Sequence, residues 1–462
     1  MNQPAKTFSL IGIVVFLLLM MHQLPTLSVE GTELRHVNIL SLLLPEPEEK
    51  ETDVVPILKA PKSLMAVTTA GKHVRFVEKW DKGVTPIVDY SGGKAGGMSH
   101  FYAMLDSVKQ LKRPVRIAYY GDSYIEGDIL TADLREMFQE KFGGNGVGWV
   151  DCGTPIIGSR RSIQQKYSGI TEYAVVKKPF DNSRQSLAER YYVPTEGAHV
   201  FTKASRFYPH SKSWTSSKLF FRTLSSLSIE AIPSSGMPIS RVYGGSTDVQ
   251  MFETVGNMSS VDYRFTDVGA GTTLFGIALE SATGVILDNF SMRGSSGTSL
   301  AKIPMSTLHD FHNMRPYDLI VLHFGLNVAI KGNPISVLRG YTNKMKKAVQ
   351  RFREAFPTAS IMIVSVPDRD QRSDNGIKTL REVKNLVALQ EQLAADTHVA
   401  FYNFFQAMGG EESVKQLVDR NMANKDYTHL SFGGGKAIAK KVFPSFVTGL
   451  KNYKRRKNIE QQ

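Results

Sequence analysis

The sequence predicts an α/β protein whose parallel sheet is interrupted by a β-rich segment. Short apolar runs alternate with helix-period segments from Val115 to about residue 160 and again from Val285 onwards, which is typical of strand–helix–strand units. Residues 160–284 instead carry short β-type runs separated by glycine turns, which is typical of a β-sandwich. We therefore expect a discontinuous α/β domain at 99–159 and 285–455, with a β-sandwich inserted at 160–284.

The α/β elements can be assigned in order along the chain. A strand is predicted at Val115–Tyr120, and a helix with Leu130, Leu134 and Phe138 on one face follows it. The later predicted strands are Val285–Met292, Leu319–Phe324, Ile361–Val366 and Val399–Tyr402. The predicted helices are Val337–Phe356, Ile377–Ala395 and Ala437–Phe443, the last of which ends before Pro444. Ligands bind at the carboxyl ends of the strands in such sheets, so the polar residues there are the candidate site residues.

The first residues predict export from the cytoplasm. Lys6 precedes an apolar run from Phe8 to Met21, and no small-residue cleavage site follows it. We expect residues 1–28 to form a signal anchor in the inner membrane, with the rest of the chain on its periplasmic or extracytoplasmic face; a cleaved signal peptide is the alternative. Residues 29–98 contain several prolines and a run of charges, and we expect them to form a tether.

Composition excludes several classes of protein. The net charge is +13, but the basic residues are spread along the chain and no zinc-finger or RNA-recognition signature occurs, so we expect no nucleic-acid partner. The single cysteine, Cys152, excludes an intrachain disulfide and a cysteine-based metal site. An apolar content of 42% is enough for a sizeable core and excludes a disordered chain.

Three polar residues at predicted strand or helix ends suit acyl transfer, which needs a nucleophile, a base and an orienting acid. Ser123 follows the first strand in Gly121-Asp122-Ser123, where a helix N-terminus favours negative charge; a helix-capping serine is the alternative. Asp426 and His429 lie in Asp-Tyr-Thr-His, a spacing that lets the carboxylate reach the imidazole and fix its tautomer. A polar surface turn is the alternative for this pair.

Two further residues could stabilise an oxyanion. Gly294 follows the predicted strand Val285–Met292, and its backbone N–H could approach a ligand closely. Asn327 follows the strand Leu319–Phe324, and its side-chain amide could be a second donor. Taken alone, each is better explained by an ordinary structural role: a turn for Gly294, and a helix cap or turn for Asn327.

In this order, the serine, glycine, asparagine and aspartate–histidine blocks resemble those of the SGNH (GDSL-type) hydrolase family. The resemblance covers about residues 100–160 and 285–450. It implies a flavodoxin-like three-layer parallel sheet and a serine acyl-enzyme mechanism without a metal or other cofactor. By this resemblance the site residues are Ser123 as nucleophile, His429 as base, Asp426 as its partner, and Ser123, Gly294 and Asn327 as the oxyanion hole.

Two departures leave the subgroup open: Tyr124 replaces the leucine that follows the family's serine, and Val328 replaces the aspartate that often follows its asparagine. The stretch from Gly121 to Gly148 is similar to exported bacterial peptidoglycan O-acetylesterases, which carry a carbohydrate-binding-like β-sandwich after the serine block. In the inserted segment, Trp214 and Tyr243 could stack on a sugar ring, although single aromatics are more often core residues.

The resulting prediction is a serine esterase that removes acyl groups, most plausibly acetyl, from an acylated cell-envelope polysaccharide. One alternative is an O-acetyltransferase of the same family that works with a membrane acyltransferase partner. Another is a non-catalytic glycan-binding protein.

Overall fold

The computed structural model describes residues 3–22, 28–29, 32–33, 64–69, 71–373 and 376–462. The chain divides into two units, Met1–Val54 and Val55–Gln462. In the first unit, a helix spans Gln3–His22, and Ser28–Val29 pairs antiparallel with Thr32–Glu33.

The N-terminal helix exposes large apolar side chains such as Phe8, Leu10 and Phe16. Among the residues that the structure describes, no helix has both the length and the apolar character that a membrane crossing requires. The signal anchor expected at residues 1–28 therefore stays a prediction. Most of the expected tether, residues 34–63, lies outside the described residues.

The second unit contains a six-stranded sheet, called sheet A here. In spatial order its strands are Val285–Ser291, Val115–Gly121, Leu319–His323, Ser360–Val364, Ala400–Tyr402 and Ile87–Asp89. The first five are parallel, and Ile87–Asp89 pairs antiparallel with Ala400–Tyr402. Every residue of the strand Val115–Gly121 is buried, as expected for a parallel strand that is covered on both faces. The predicted mixed α/β fold with a parallel sheet is confirmed.

Helices connect the strands of sheet A. The described α-helices of this unit are Ser99–Asp106, Thr131–Phe142, Met305–Met314, Ile335–Ala355, Arg381–Thr397, Phe404–Met408, Ser413–Asp419 and Phe432–Glu460. The helix Ile335–Ala355 buries one face, with Leu338, Met345 and Phe352 at helical spacing. Shorter 3₁₀ turns lie at Ser123–Asp128, Pro155–Ser159, Asn182–Arg184, Pro209–Ser211 and Thr298–Lys302.

A second, β-rich sheet of nine strands, sheet B, is also present. Its strands are Gly148–Val150, Ile163–Ala174, Arg190–Ala204, Trp214–Arg222, Leu227–Pro233, Ile239–Tyr243, Gln250–Met258, Ser260–Thr266 and Thr273–Glu280. Only the pair Leu274 with Tyr192 joins Arg190–Ala204 to Thr273–Glu280. Apart from this pair, the strands of sheet B form two groups, one around Arg190–Ala204 and one around Thr273–Glu280. Side chains from both groups, including Tyr192, Phe252 and Ile277, form one buried cluster.

Buried charges join the two sheets. Arg315 is fully buried and contacts both Glu280 of sheet B (2.8 Å) and Asp288 of sheet A. Arg116 of sheet A also binds Glu280, at 2.7 Å. Burial opposes ionisation of Glu280, but the two arginines hold the pKa of its carboxyl well below the usual range. The carboxylate therefore stays charged and fixes one sheet against the other.

Part of the predicted tether belongs to this unit. Leu64–Val67 and His73–Phe76 form a hairpin, and Ile87–Asp89 is the edge strand of sheet A. The expectation of a tether reaching residue 98 is therefore wrong from residue 64 onwards. Strands this short carry little periodicity, and the pairing of Ile87–Asp89 with Ala400–Tyr402 is a long-range contact that local sequence does not show.

Two predicted helix bounds also need correction. The last helix does not end before Pro444 but continues to Glu460. A proline inside a helix costs about 3 kcal/mol, yet this helix buries Val442, Phe446 and Leu450 on both sides of it, and that packing outweighs the cost. The predicted helix Ile377–Ala395 begins only at Arg381, because Gly376–Thr379 pairs with Asp370–Ser373 as a hairpin.

Candidate active site

Ser123 lies where the interior strand Val115–Gly121 ends and a 3₁₀ turn begins. Gly121 is required at this junction, because a Cβ there would approach Cγ1 of Ile125 to 2.8 Å and the carbonyl oxygen of His323 to 3.0 Å. Asp122 caps the turn by accepting the N–H of Tyr124 (3.0 Å). The Ser123 side chain is therefore held at the carboxyl end of sheet A.

Asp122 is buried, and its burial raises the pKa of the carboxyl to about 6, against the opposing effect of backbone hydrogen bonds from Tyr124, Leu326 and Gly325. These bonds link the turn that carries Ser123 to the loop that carries Asn327. The sequence predicted both loops but gave no sign that Asp122 joins them.

A tight turn before the last helix carries Asp426 and His429. Ala423 forms an isolated bridge with Leu430, which closes the turn, and Tyr427 adopts a positive φ of 52° at its tip. The backbone N–H groups of Thr428 and His429 donate to Oδ1 of Asp426, at 3.0 and 3.1 Å. The carboxylate is thereby oriented by its own turn.

The turn brings the three residues into a chain of hydrogen-bonding contacts. Nδ1 of His429 lies 2.7 Å from Oδ2 of Asp426, and Nε2 of His429 lies 2.8 Å from Oγ of Ser123. Burial opposes ionisation of Asp426, but the hydrogen bonds from His429 and Thr428 outweigh it and lower the pKa of this carboxyl. An ionised Asp426 requires the Nδ1–H tautomer of His429, which leaves Nε2 free to accept a proton from Ser123.

Gly294 and Asn327 lie on the loops after two strands that flank Val115–Gly121. Gly294 is exposed and has a positive φ of 81°, which glycine adopts readily. The side-chain amide of Asn327 donates to the carbonyl oxygen of Ser295 at 2.9 Å, so Asn327 is tied to the Gly294 loop. One N–H of this amide remains for a ligand.

Two carboxylates that the sequence analysis missed hold the Gly294 loop. Glu126, in the turn after Ser123, binds Arg293, whose Nε lies 2.8 Å from Oε2. Glu189, which precedes the strand Arg190–Ala204, is fully buried and accepts from the hydroxyls of Ser295 (3.0 Å) and Ser299. Burial raises the pKa of Glu189. Glu126 lies in the stretch from Gly121 to Gly148, but nothing in that pattern indicates its contact with Arg293, and Glu189 lies in no recognisable motif.

Other aromatic and histidine candidates lie in the core. Trp214 is fully buried and presents no face for a sugar, whereas Tyr243 is half-buried and packs against Phe221 with ring centroids 4.8 Å apart. His323 is also buried, which lowers its pKa to about 3, and its Nδ1 lies 3.1 Å from the Tyr119 hydroxyl. It is a neutral core histidine.

The fold of most of this chain matches that of a known enzyme. A solved structure of a peptidoglycan O-acetylesterase is 22% identical to this chain, with a TM-score of 0.62, and the match covers 79% of this chain and 99% of the other. The chain has the fold of that enzyme. The predicted SGNH-type hydrolase fold, and its resemblance to peptidoglycan O-acetylesterases, is confirmed at this level. No protein-family model and no curated protein sequence matches the chain.

Two more distant structures were also found. A family two carbohydrate esterase from Cellvibrio japonicus is 10% identical, with a TM-score of 0.25 and coverage of 63% of this chain and 99% of that one. A lipase/acylhydrolase from Enterococcus faecalis is 16% identical, with a TM-score of 0.25 and coverage of 36% and 77%. At these TM-scores the two matches carry no argument about this chain.

Proposed function

We propose that this protein is a serine esterase that removes O-acetyl groups from an acylated cell-envelope polysaccharide. One observation carries the proposal: Ser123, His429 and Asp426 form a continuous chain of contacts at the carboxyl end of a parallel sheet. Its fold, shared with a peptidoglycan O-acetylesterase, supports the same activity.

The acylation step follows from this geometry. Nε2 of His429 takes the proton of the Ser123 hydroxyl as Oγ attacks the ester carbonyl carbon, and Asp426 stabilises the imidazolium that forms. The tetrahedral intermediate collapses, the sugar oxygen leaves, and Nε2 of His429 returns the proton to it. Water then attacks the acyl-enzyme with His429 again as base, which releases acetate and restores Ser123.

The oxyanion needs donors aimed at the carbonyl oxygen. We assign this role to the backbone N–H groups of Ser123 and Gly294 and to the free N–H of the Asn327 amide. The bond from Asn327 to Ser295 and the pair Arg293–Glu126 support the assignment, because they tie the glycine loop to its neighbours before substrate binds. Donors that are held in place need no reorganisation during the reaction.

The proposal also includes a flavodoxin-like three-layer domain, an inserted β-sandwich and a membrane anchor. Strands buried on both faces support a flavodoxin-like three-layer domain, and the shared core of the two strand groups of sheet B supports a β-sandwich that holds the polymer. Lys6 and the apolar run after it support a membrane-anchored protein on the periplasmic or extracytoplasmic face, where such a polysaccharide is found.

The test is release of acetate from O-acetylated peptidoglycan and from p-nitrophenyl acetate by the purified full chain. We expect turnover on both, lost by a factor of about 10⁴ or more in Ser123→Ala and His429→Ala. His312→Ala is the matched control, because His312 lies on the helix Met305–Met314, outside the site. Its activity should equal that of the native chain.

Folded native protein that hydrolyses neither ester would refute the esterase proposal. The transferase alternative then predicts that acetate is transferred to a sugar hydroxyl only when a membrane acyltransferase is supplied. Equal turnover in native chain and Ser123→Ala would refute the assigned nucleophile.

A further inference from the structure

A cleft opens beside Asn327 on the side of the helix Ile335–Ala355. It is open to solvent, has a volume of about 360 Å³ and falls within the range of small-molecule sites, about 300–1,000 Å³. Its surface is more apolar than polar, but polar side chains of Ser296, Thr298, Asn327, Asn333, Tyr341 and Lys344 also line it. Because Ser296 and Asn327 belong to the two proposed oxyanion loops, the cleft adjoins the reaction centre.

Tyr341 lines the cleft and lies near Asp122, the residue before the nucleophile. Its side chain is almost fully buried, and burial followed by the negative charge of Asp122 raises the pKa of its phenol. Asp122 directly precedes Ser123. A molecule in the cleft would therefore lie within a few side chains of the ester that Ser123 attacks.

Gly340 lies within the helix Ile335–Ala355 and on the wall of the cleft. A glycine there destabilises the helix relative to alanine. No packing reason for it is present, because an added Cβ would meet no atom within 4 Å. The space that a side chain would occupy is the cleft itself. A ligand that packs against the bare helix backbone explains why this position has no side chain.

Lys344 stands one turn further along the same face of the helix. Its side chain is exposed, and within the described residues no carboxylate lies in salt-bridge distance of it. On the same helix, Lys346 binds Asp396 at 2.6 Å, and Lys347 is exposed but does not line the cleft. An unpaired ammonium group on the cleft wall suits an acidic group of the ligand.

We propose that this cleft binds the sugar residue that carries the ester, with its ring against the backbone at Gly340 and an acidic group of the glycan at Lys344. The inference rests on the proposed esterase function and adds the substrate class: an anionic glycan in preference to a neutral one. Hydroxyl and amide groups of the lining residues can serve as hydrogen-bond partners of sugar hydroxyls.

Gly340→Leu and Lys344→Met test the inference through a ratio of activities. We expect the kcat/KM on O-acetylated peptidoglycan, divided by that on p-nitrophenyl acetate, to fall at least about tenfold in each variant. On acetylated glucomannan, a neutral polymer, Lys344→Met should lose much less than on peptidoglycan. Gly340→Leu should also have an unchanged or higher Tm, which separates loss of binding from loss of folding. Lys347→Met, an exposed lysine of the same helix outside the cleft, is the control and should change neither activity.

An unchanged ratio in Gly340→Leu would overturn the cleft as a binding site, and equal losses of Lys344→Met on both polymers would overturn the acidic group. A direct measurement of glycan binding distinguishes failure of the cleft proposal from failure of the esterase proposal. In the Ser123→Ala background, calorimetry with soluble O-acetylated fragments of peptidoglycan should show a Kd raised about tenfold by Gly340→Leu and by Lys344→Met. If the native chain hydrolyses no ester, this measurement still decides: an unchanged Kd in both variants refutes the cleft.

Discussion

Oγ of Ser123 lies 2.8 Å from Nε2 of His429, although the two residues are 306 positions apart in the chain. Sheet A places Ser123 at the end of the interior strand Val115–Gly121, and the turn before the last helix brings His429 to the same edge. Ser431 fixes the start of that helix, since its hydroxyl accepts the N–H of Gly434 at 3.3 Å. The contact thus depends on the packing of the last helix as much as on the two residues.

Replacement of Asp426 by asparagine should lower kcat by a factor of about 10² to 10⁴. The amide favours the wrong tautomer of His429 and cannot stabilise the imidazolium, while the turn keeps its shape. The rate on p-nitrophenyl acetate measures the effect, and Asp419→Asn, an exposed acid on a neighbouring helix, is the control. An activity within twofold of native would mean that Asp426 does not orient the base.

Asn327→Ala should lower kcat by about 10²–10³ with little change in KM, because an oxyanion donor acts in the transition state. Steady-state kinetics on p-nitrophenyl acetate separate the two constants. Asn343→Ala removes an exposed amide from the helix Ile335–Ala355 and should leave both constants unchanged. A large rise in KM with native kcat would instead assign Asn327 to ground-state binding.

Arg315→Met should lower the free energy of unfolding by about 3–5 kcal/mol, because it leaves Glu280 and Asp288 as buried carboxylates without this partner. Urea unfolding at pH 7 measures the loss. Arg264→Met breaks an exposed pair with Asp262 and should cost less than about 1 kcal/mol. Equal losses in the two variants would contradict the role of Arg315 in joining the sheets.

Asp370 should make the protein less stable as the pH rises. Burial, with the nearby charge of Asp368, raises the pKa of Asp370 to about 6, above the unfolded value of about 3.9. Between these two values the folded protein binds more protons than the unfolded chain, so its stability falls from pH 4 to pH 6. Asp370→Asn removes the ionisation, and its amide can donate to Asp368.

We therefore expect Asp370→Asn to raise Tm at pH 8 and to leave it nearly unchanged at pH 4. Thermal unfolding at both values measures the difference. Asp248 is exposed and lies between two strands of sheet B, so Asp248→Asn should show no such gain in Tm at pH 8. A gain of equal size at pH 4 and pH 8 would contradict titration of Asp370 as its cause.

Local sequence predicts a structural feature when residues close together in the chain determine that feature. The apolar run of Val115–Gly121 predicts a buried strand, and the Gly-Asp-Ser after it places Ser123 at the strand end. The spacing of Asp426 and His429 predicts their contact, since a turn of four residues brings both side chains together. Ser123, Asp426 and His429 could thus be selected before their distances were known.

The remaining features depend on residues far apart in the chain. The strand Ile87–Asp89 exists through its pairing with Ala400–Tyr402, and the last helix continues through Pro444 because packing on both sides outweighs the cost of the proline. Glu189 and Glu126 reach the Gly294 loop from other parts of the chain. The sequence by itself determined the order of strands and helices and the reactive side chains. Only the tertiary structure decided which loops meet, because contacts between distant residues come from packing and buried charge and leave no local pattern.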